Sequence, residues 1–368
     1  MIYIIATHSV YKNNTEAFGP ANSIAAFLAA KKQKVLFLKH ALEGSKESVA
    51  ILPDQSVEKI ELPGNGILSR GIREIKLNLK FSASEKEENI FIGVDPINGF
   101  AGSLLKILGK TDKFIYLTAD YIEKRFNNWF LNACYHLADR ICLLFSDEVW
   151  SVSSRIMNKR KRQGVPDRKN KLIVNSPDFH SIKRKDYNGN QNLVVISPLS
   201  KALNLSPIIN SLKPLFSKYL KLKLEIIGSG EEEENFKQMV HDQELEEEIH
   251  FLGWKQHDEI LDIMCSSFLG FALYTGAASW NVYGDSMKAR EYVACGLPVI
   301  INEIPSTAEE VKSYHAGLVL SSISETKITN FVEKCLTDKE YYLSLRENAL
   351  KMGQDFDKTK ILSELLHL

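Results

Sequence analysis

The sequence predicts an α/β protein of two doubly wound domains, each a parallel sheet covered by helices on both faces. Three observations carry this. Short apolar runs alternate with helix-period segments along the whole chain, a polar Lys/Arg/Asn/Gly/Pro stretch interrupts them near the middle, and 368 residues are too many for one ordinary core. Near-continuous apolar strands separated by helices are buried on both faces, as βαβ units require.

Taken in order, "IYIIA", "VLFLK", "IFIGV", "FIYLT" and "EVWSVS" read as strands of the first half. "LVVIS", "LKLEIIG", "IHFLG", "FLGFALY", "PVIIN" and "GLVLS" read as strands of the second. Between them lies "NKRKRQGVPDRKNKLIVNSPDFHSIKRKDYNGNQN", a composition suited to a boundary, placed near residues 176 to 192. The expected division is therefore a first domain over residues 1–178 and a second over 179–350. A terminal helical segment over 351–368 is expected to pack back toward the first domain, with Asp357 as its N-cap. Ligands of open α/β sheets bind beyond the carboxyl ends of the strands, so loops that follow strands should carry the chemistry, in a cleft between two such domains.

Composition narrows the function. Apolar residues make up 44% and charged residues 25% of the chain, as in soluble globular proteins. The 46 basic and 46 acidic side chains balance, so no global field points to nucleic acid. Five scattered cysteines without a C-x-x-C pair read as buried thiols of a reducing cytoplasm. "MIYIIATHSV" has no basic residue before Lys12 and reads as a strand rather than a signal peptide, and no apolar run reaches membrane-spanning length.

Three post-strand loops in the second half stand out. In "IIGSGEEEENF", Gly228 and Gly230 end a strand before a helix; backbone amides there can approach a phosphate, or the glycines simply serve the turn. In "IHFLGWKQHDEIL", Phe251, Gly253 and Trp254 follow a strand and can receive a flat base, or Trp254 covers a domain edge. In "DSMKAREYVACGLPVIIN", Lys288 and Glu291 share one helix face. A lysine in the first turn opposes the helix dipole unless a phosphate sits there, and Glu291 can accept from a sugar diol; an exposed ion pair is the plain alternative. "ACGLPVIIN" is helix stop and buried strand.

The order "GSGEEEE", "IHFLGW", "K-x-x-EY-x-ACGLPVI" resembles the donor-binding domain of glycosyltransferases of the group 1 type, which have the two-domain GT-B fold. The resemblance covers residues 190 to 325 closely and the first half more loosely. It implies a UDP- or GDP-linked sugar as co-substrate, held by the second domain without an obligatory metal, and a carbohydrate or lipid-linked glycan acceptor. By position, Lys288 would meet the diphosphate, Glu291 the ribose, and the Phe251 to Trp254 loop the base, with Lys201 against the phosphates. Tyr283, Asp285, Ser286 and Met287 would complete the donor face. Two departures matter. Relatives carry a second Glu where this chain has Tyr283, and an Arg near the start of the second domain is replaced by "PLSK", so the sugar is not carried over.

In the first half, Gly19-Pro20 lies where the family has its opening glycine loop, and its amides could face phosphate or acceptor. Asp120 follows the strand "FIYLT" and is the base for the acceptor hydroxyl in an inverting enzyme, an acceptor-positioning group in a retaining one, or the N-cap of the next helix. His8 is a lesser candidate, expected as a loop histidine. "DFD" at 355 to 357 reads as capping rather than metal binding, and no zinc, Walker or G-x-G-x-x-G pattern occurs. The basic run Lys159 to Arg162, with Arg168, Lys169, Lys171 and the nearby Trp129, Phe130 and Leu131, could touch anionic headgroups or be a solvated linker and a core helix. The expected function is transfer of a sugar to a hydroxyl in polysaccharide or glycoconjugate assembly, in the cytoplasm and in reach of the inner membrane face. A nucleotide-sugar 2-epimerase of the same fold and a non-catalytic nucleotide-binding protein are the alternatives.

Overall fold

A computed structural model describes residues 1–368 apart from 10, 13–14, 17–18, 43–46, 62–66, 86, 186, 202 and 277–278. The chain divides into two compact units, Met1–Val174 with Leu362–Leu368, and Asn175–Ile361.

The first unit opens with β1 (Ile2–Ser9), whose Ile2 to Ala6 are buried on both faces, and a short antiparallel pair, β2 (Tyr11–Lys12) and β3 (Thr15–Glu16). Helix α1 (Pro20–Ala30) starts on proline and buries Ile24, Phe27 and Leu28. There follow β4 (Lys34–Ala41), β5 (Glu47–Ile51), β6 (Val57–Glu61), α2 (Ile67–Ser84), β7 (Asn89–Val94) and α3 (Asp95–Ile107). The unit continues with β8 (Lys113–Thr118), α4 (Trp129–Phe145), β9 (Glu148–Ser151), α5 (Ser154–Arg162) and β10 (Asn170–Leu172). The sheet order is β10-β9-β8-β7-β1-β4-β5-β6. It is parallel except at one edge, where β4, β5 and β6 run antiparallel. The order reverses at β1/β7, which is where a doubly wound sheet opens a crevice.

The second unit holds β11 (Asn192–Ile196), α6 (Ser206–Phe216), β12 (Lys223–Ile227), α7 (Glu233–His241), β13 (Ile249–Gly253), α8 (His257–Ser266) and β14 (Leu269–Ala272). It continues through α9 (Ser279–Tyr283), α10 (Met287–Ala294), β15 (Val299–Asn302), α11 (Thr307–Tyr314), β16 (Gly317–Leu320), α12 (Glu325–Thr337), α13 (Lys339–Asp355) and the first turn of α14 (Lys358–Leu366), whose residues from Leu362 on belong to the first unit. Its parallel sheet, β13-β12-β11-β14-β15-β16, reverses at β11/β14. Asp357 caps α14 as expected, accepting from Lys360 N at 3.1 Å and Phe179 N at 2.9 Å.

Candidate functional site

Beyond β14, at the crevice of the second unit, Tyr274 is pinned by Asn302. The Tyr274 amide donates to Asn302 Oδ1 at 3.0 Å, and Asn302 Nδ2 donates to the Tyr274 carbonyl at 2.7 Å. The Tyr274 hydroxyl and Ser286 Oγ share a 2.6 Å hydrogen bond. Ser286 Oγ also accepts from Ala289 N at 3.2 Å, which caps α10. Tyr274 thus seats the start of α10, and Lys288 Nζ lies 5.2 Å from the centre of its ring. Burial pushes the Lys288 ammonium down to about 8, against the opposing pull of the Glu291 carboxylate. The first helical turn, where this ammonium lies, is also where backbone N–H groups have no intrahelical acceptor.

One turn on, Glu291 is 8% exposed and accepts from His257 Nε2 at 2.8 Å. The bond pulls the His257 imidazole upward, against partial burial. His257 opens α8, directly after the Phe251 to Trp254 loop. Its one signal in the sequence is its place in "GWKQHDE". Of these residues Phe251 lies half-buried in β13 and packs against the core of the unit, Gly253 ends β13 with φ +69°, and Trp254, just beyond it, is 65% exposed. Tyr283 ends α9, Met287 is 39% exposed at the first position of α10, and Lys201 is exposed beyond β11.

Several expected ligand contacts are used internally instead. Asp285, expected on the donor sugar, has a fully buried carboxylate. Oδ1 accepts from Arg290 Nη2 at 3.0 Å and from Thr307 Oγ1 at 2.6 Å, while Oδ2 accepts from Asn175 N at 2.8 Å. Asp285 ties α10 to α11 and to the start of the unit. Ser286 is likewise spent, because its amide donates to Thr307 Oγ1 at 2.8 Å and its hydroxyl is the helix cap. At Gly228, with φ +142°, the amide already donates to Gly253 O at 2.9 Å, so it cannot face a phosphate. A Cβ there would lie 2.0 Å from Ser197 O, and one at Gly230 2.2 Å from Leu199 O, so close approach to the loop after β11 requires both glycines. In the first unit Gly19 is the cap residue before α1, and its amide donates to Asn22 Oδ1 at 3.2 Å.

The crevice of the first unit gathers a second set of groups. His8 is not a loop residue: it lies in β1, 3.0 Å from Glu74 Oε2, and Glu74 also accepts from Arg70 Nε at 3.1 Å. Asp120 follows β8 and pairs with Arg125 Nη1 at 3.0 Å. It caps no helix, since α4 begins only at Trp129 and Asn128 caps it. Asp95 was not singled out from the sequence. It turns the chain from β7 straight into α3 with φ +62°, and Ala119 N donates to its Oδ1 at 3.2 Å. Gly93 allows this tight elbow, because a Cβ there would stand 2.8 Å from Asn98 O. Desolvation pushes the Asp95 carboxyl up to about 6, with Arg125 opposing and the Asp120 charge assisting.

That shift has a stability consequence. Between the ordinary carboxyl value of 3.8 and about 6 the folded state holds a proton that the unfolded state has lost, so stability falls as pH rises through that window. Asp95→Asn removes this loss and keeps a residue type that tolerates positive φ. It should raise the melting temperature at pH 7, by the equivalent of roughly 1–3 kcal/mol at ~1.4 kcal/mol per pKa unit, and lose that advantage below pH 4. Melts of both proteins across this range check it; a gain that is constant with pH would contradict the assignment.

Part of the basic run is paired within the protein. Arg160 is fully buried and binds Asp139 through both terminal nitrogens at 2.6 and 2.7 Å. Lys159 pairs with Glu123 at 2.9 Å and Lys161 with Asp167 at 3.0 Å.

Two parallel-sheet α/β units with these strand orders define the GT-B class of fold. The Anabaena protein HepE, solved in complex with UDP, superposes with a TM-score of 0.70 at 15% identity, over 100% of this chain and 98% of its own. Sucrose-phosphate synthase from Thermosynechococcus elongatus does so with a TM-score of 0.69 at 13% identity, over 100% and 97%. Residues 178–352 match the family glycosyl transferases group 1. An uncharacterized glycosyltransferase of Haemophilus influenzae is 25% identical over 151 residues, 41% of this chain; the chain thus spans 40% of that curated relative's length.

Proposed function

We propose that the protein is a glycosyltransferase that moves a sugar from a UDP- or GDP-sugar to a hydroxyl of a carbohydrate or lipid-linked glycan, in polysaccharide or glycoconjugate assembly. The observation that carries this is the desolvated Lys288 in the first turn of α10, with Glu291 one turn on beside the loop from Phe251 to His257. HepE, which shares the fold, has been solved with UDP, with UDP and glucose, and with UDP-glucose.

In the reaction the bond between the anomeric carbon and the diphosphate oxygen breaks, the acceptor oxygen bonds to that carbon, and the hydroxyl proton goes to a base. Negative charge develops on the leaving diphosphate. In this reading Lys288 and the first amides of α10 stabilise it, in place of a metal ion. Glu291 holds the ribose diol, exchanging its bond with His257 for hydroxyl donors. Asp120 serves the acceptor hydroxyl. Asp120→Asn is expected to slow transfer by about 10²–10⁴-fold while UDP affinity stays the same; a wild-type rate would remove Asp120 from the mechanism. Peripheral membrane contact enters this reading through Trp129 and Phe130, which are 80% and 51% exposed at the start of α4. Failure to co-sediment with anionic phospholipid vesicles would remove that part.

The test is incubation with a panel of UDP- and GDP-sugars, with and without hydroxyl acceptors and with EDTA present. Release of the nucleoside diphosphate with retained sugar identity is expected. Inversion of the sugar without release would show an epimerase instead, and dependence on an added divalent ion would contradict metal-free catalysis.

A further inference from the structure

We infer that the acceptor is an amphiphile whose hydrocarbon chain lies in an apolar pocket of the first unit, walled by α2, α3 and α4. This rests on the transferase reading above and names the class of its acceptor. The pocket has a volume of about 330 Å³, within the ~300–1,000 Å³ span of small-molecule sites. Leu68 and Ile72 of α2, Ile97 and Phe100 of α3, and Leu137 and Ile141 of α4 face it. Of its lining side chains, only those of Tyr135 and Cys134 carry a heteroatom. Its rim is open, since Leu68, Ile72 and Leu137 are each more than half exposed (51%, 54% and 60%).

What occupies it follows from where it leads. Pro96 in its wall directly follows Asp95, and Phe126 directly follows Arg125. The Tyr135 ring, also in the wall, lies 5.2 Å from the Arg125 guanidinium. The Asp95 charge assists burial in raising the Tyr135 phenol. The pocket wall thus adjoins the Asp95, Asp120 and Arg125 cluster through Pro96, Phe126 and Tyr135, and the rest of its lining is hydrocarbon. An amphiphile matches both parts, with its hydroxyl head at the carboxylates and its chain between the helices. An extended peptide does not match, because its backbone N–H and C=O groups would enter a space offering one phenol and one thiol.

The test is calorimetric titration of the full chain with glucose and with hexyl, octyl and decyl β-D-glucopyranoside, each below its micelle concentration. Glucose should not bind measurably. The Kd should fall about fourfold per added methylene, the factor that ~0.8 kcal/mol per buried CH₂ converts to. Gly71→Leu fills the pocket with little strain: its Cβ would meet Ile97 Cδ1 at an ordinary 3.7 Å, and leucine favours the helix over glycine. This variant should bind octyl glucoside at least tenfold more weakly and bind UDP as the wild type does. The inference is overturned if no glucoside binds, if affinity ignores chain length, or if Gly71→Leu binds like the wild type. It is also overturned if dimerisation at these concentrations covers the pocket. UDP titrated in the same samples separates the two readings: UDP binding without chain binding sinks this inference alone, and chain binding without UDP binding sinks the donor assignment.

Discussion

Lys288→Met is expected to bind UDP about tenfold to a hundredfold more weakly than the wild type and yet to be the more stable protein without ligand. The loss follows from removing a charged hydrogen-bond donor to phosphate, ~1.5–3 kcal/mol. The gain follows from the shift of the Lys288 ammonium from 10.5 to about 8. Below pH 8 the folded protein carries the full cost of a desolvated charge. Between about 8 and 10.5 the folded lysine sheds its proton while the unfolded one keeps it, so stability rises with pH across that window. Methionine removes the cost at every pH, which is worth roughly 1–3 kcal/mol near neutrality at ~1.4 kcal/mol per unit. A bound diphosphate restores the ammonium, so UDP binding at pH 8.5 should take up a proton. Titrations in buffers of different ionisation enthalpy would show this in the wild type and not in Lys288→Met. An unstabilised variant, or wild-type binding without proton uptake, would show that Lys288 is an ordinary surface lysine.

The second large effect concerns stability alone. Asp285→Ala strips the buried Arg290 of its bidentate partner and leaves the guanidinium with Glu310 at 3.2 Å. Removing one partner of a buried pair costs ~3–5 kcal/mol, because the other charge stays desolvated. At ~2–4 °C per kcal/mol for a unit of this size, the melting temperature of the second unit should drop by about 6–20 °C. Replacing the pair together, as Asp285→Leu with Arg290→Met, should recover most of the loss. Were Asp285→Ala to melt like the wild type and lose only donor binding, Asp285 would be a ligand after all.

These two residues show how far the sequence reaches. Ordinary period arguments found the strands of both central sheets, because "IYIIA" or "PVIIN" can only be buried on two faces. They missed β5, β6 and β10; in β5, "ESVAI" buries only Ser48 and Ala50, which no apolar alternation announces. Lys288 and Glu291 were legible because their spacing puts them on one helix face. Arg290, between them, points the other way, and its bond to Asp285 is what turned an expected sugar contact into a lock. The His257–Glu291 bond spans 34 residues, and the Asp95 elbow depends on a positive φ that no residue type announces. Contacts brought together by chain reversal at a sheet edge are written in the fold, not in local pattern.

The central claim is that the Lys288–Glu291 face of α10 holds the nucleoside diphosphate of a sugar donor. Calorimetric titration of the wild type and Glu291→Ala with UDP and with GDP tests it most directly. The account predicts saturable one-site binding of one of the two nucleotides, weakened at least tenfold in Glu291→Ala. Absence of binding by either nucleotide, or unchanged affinity in the variant, would contradict it.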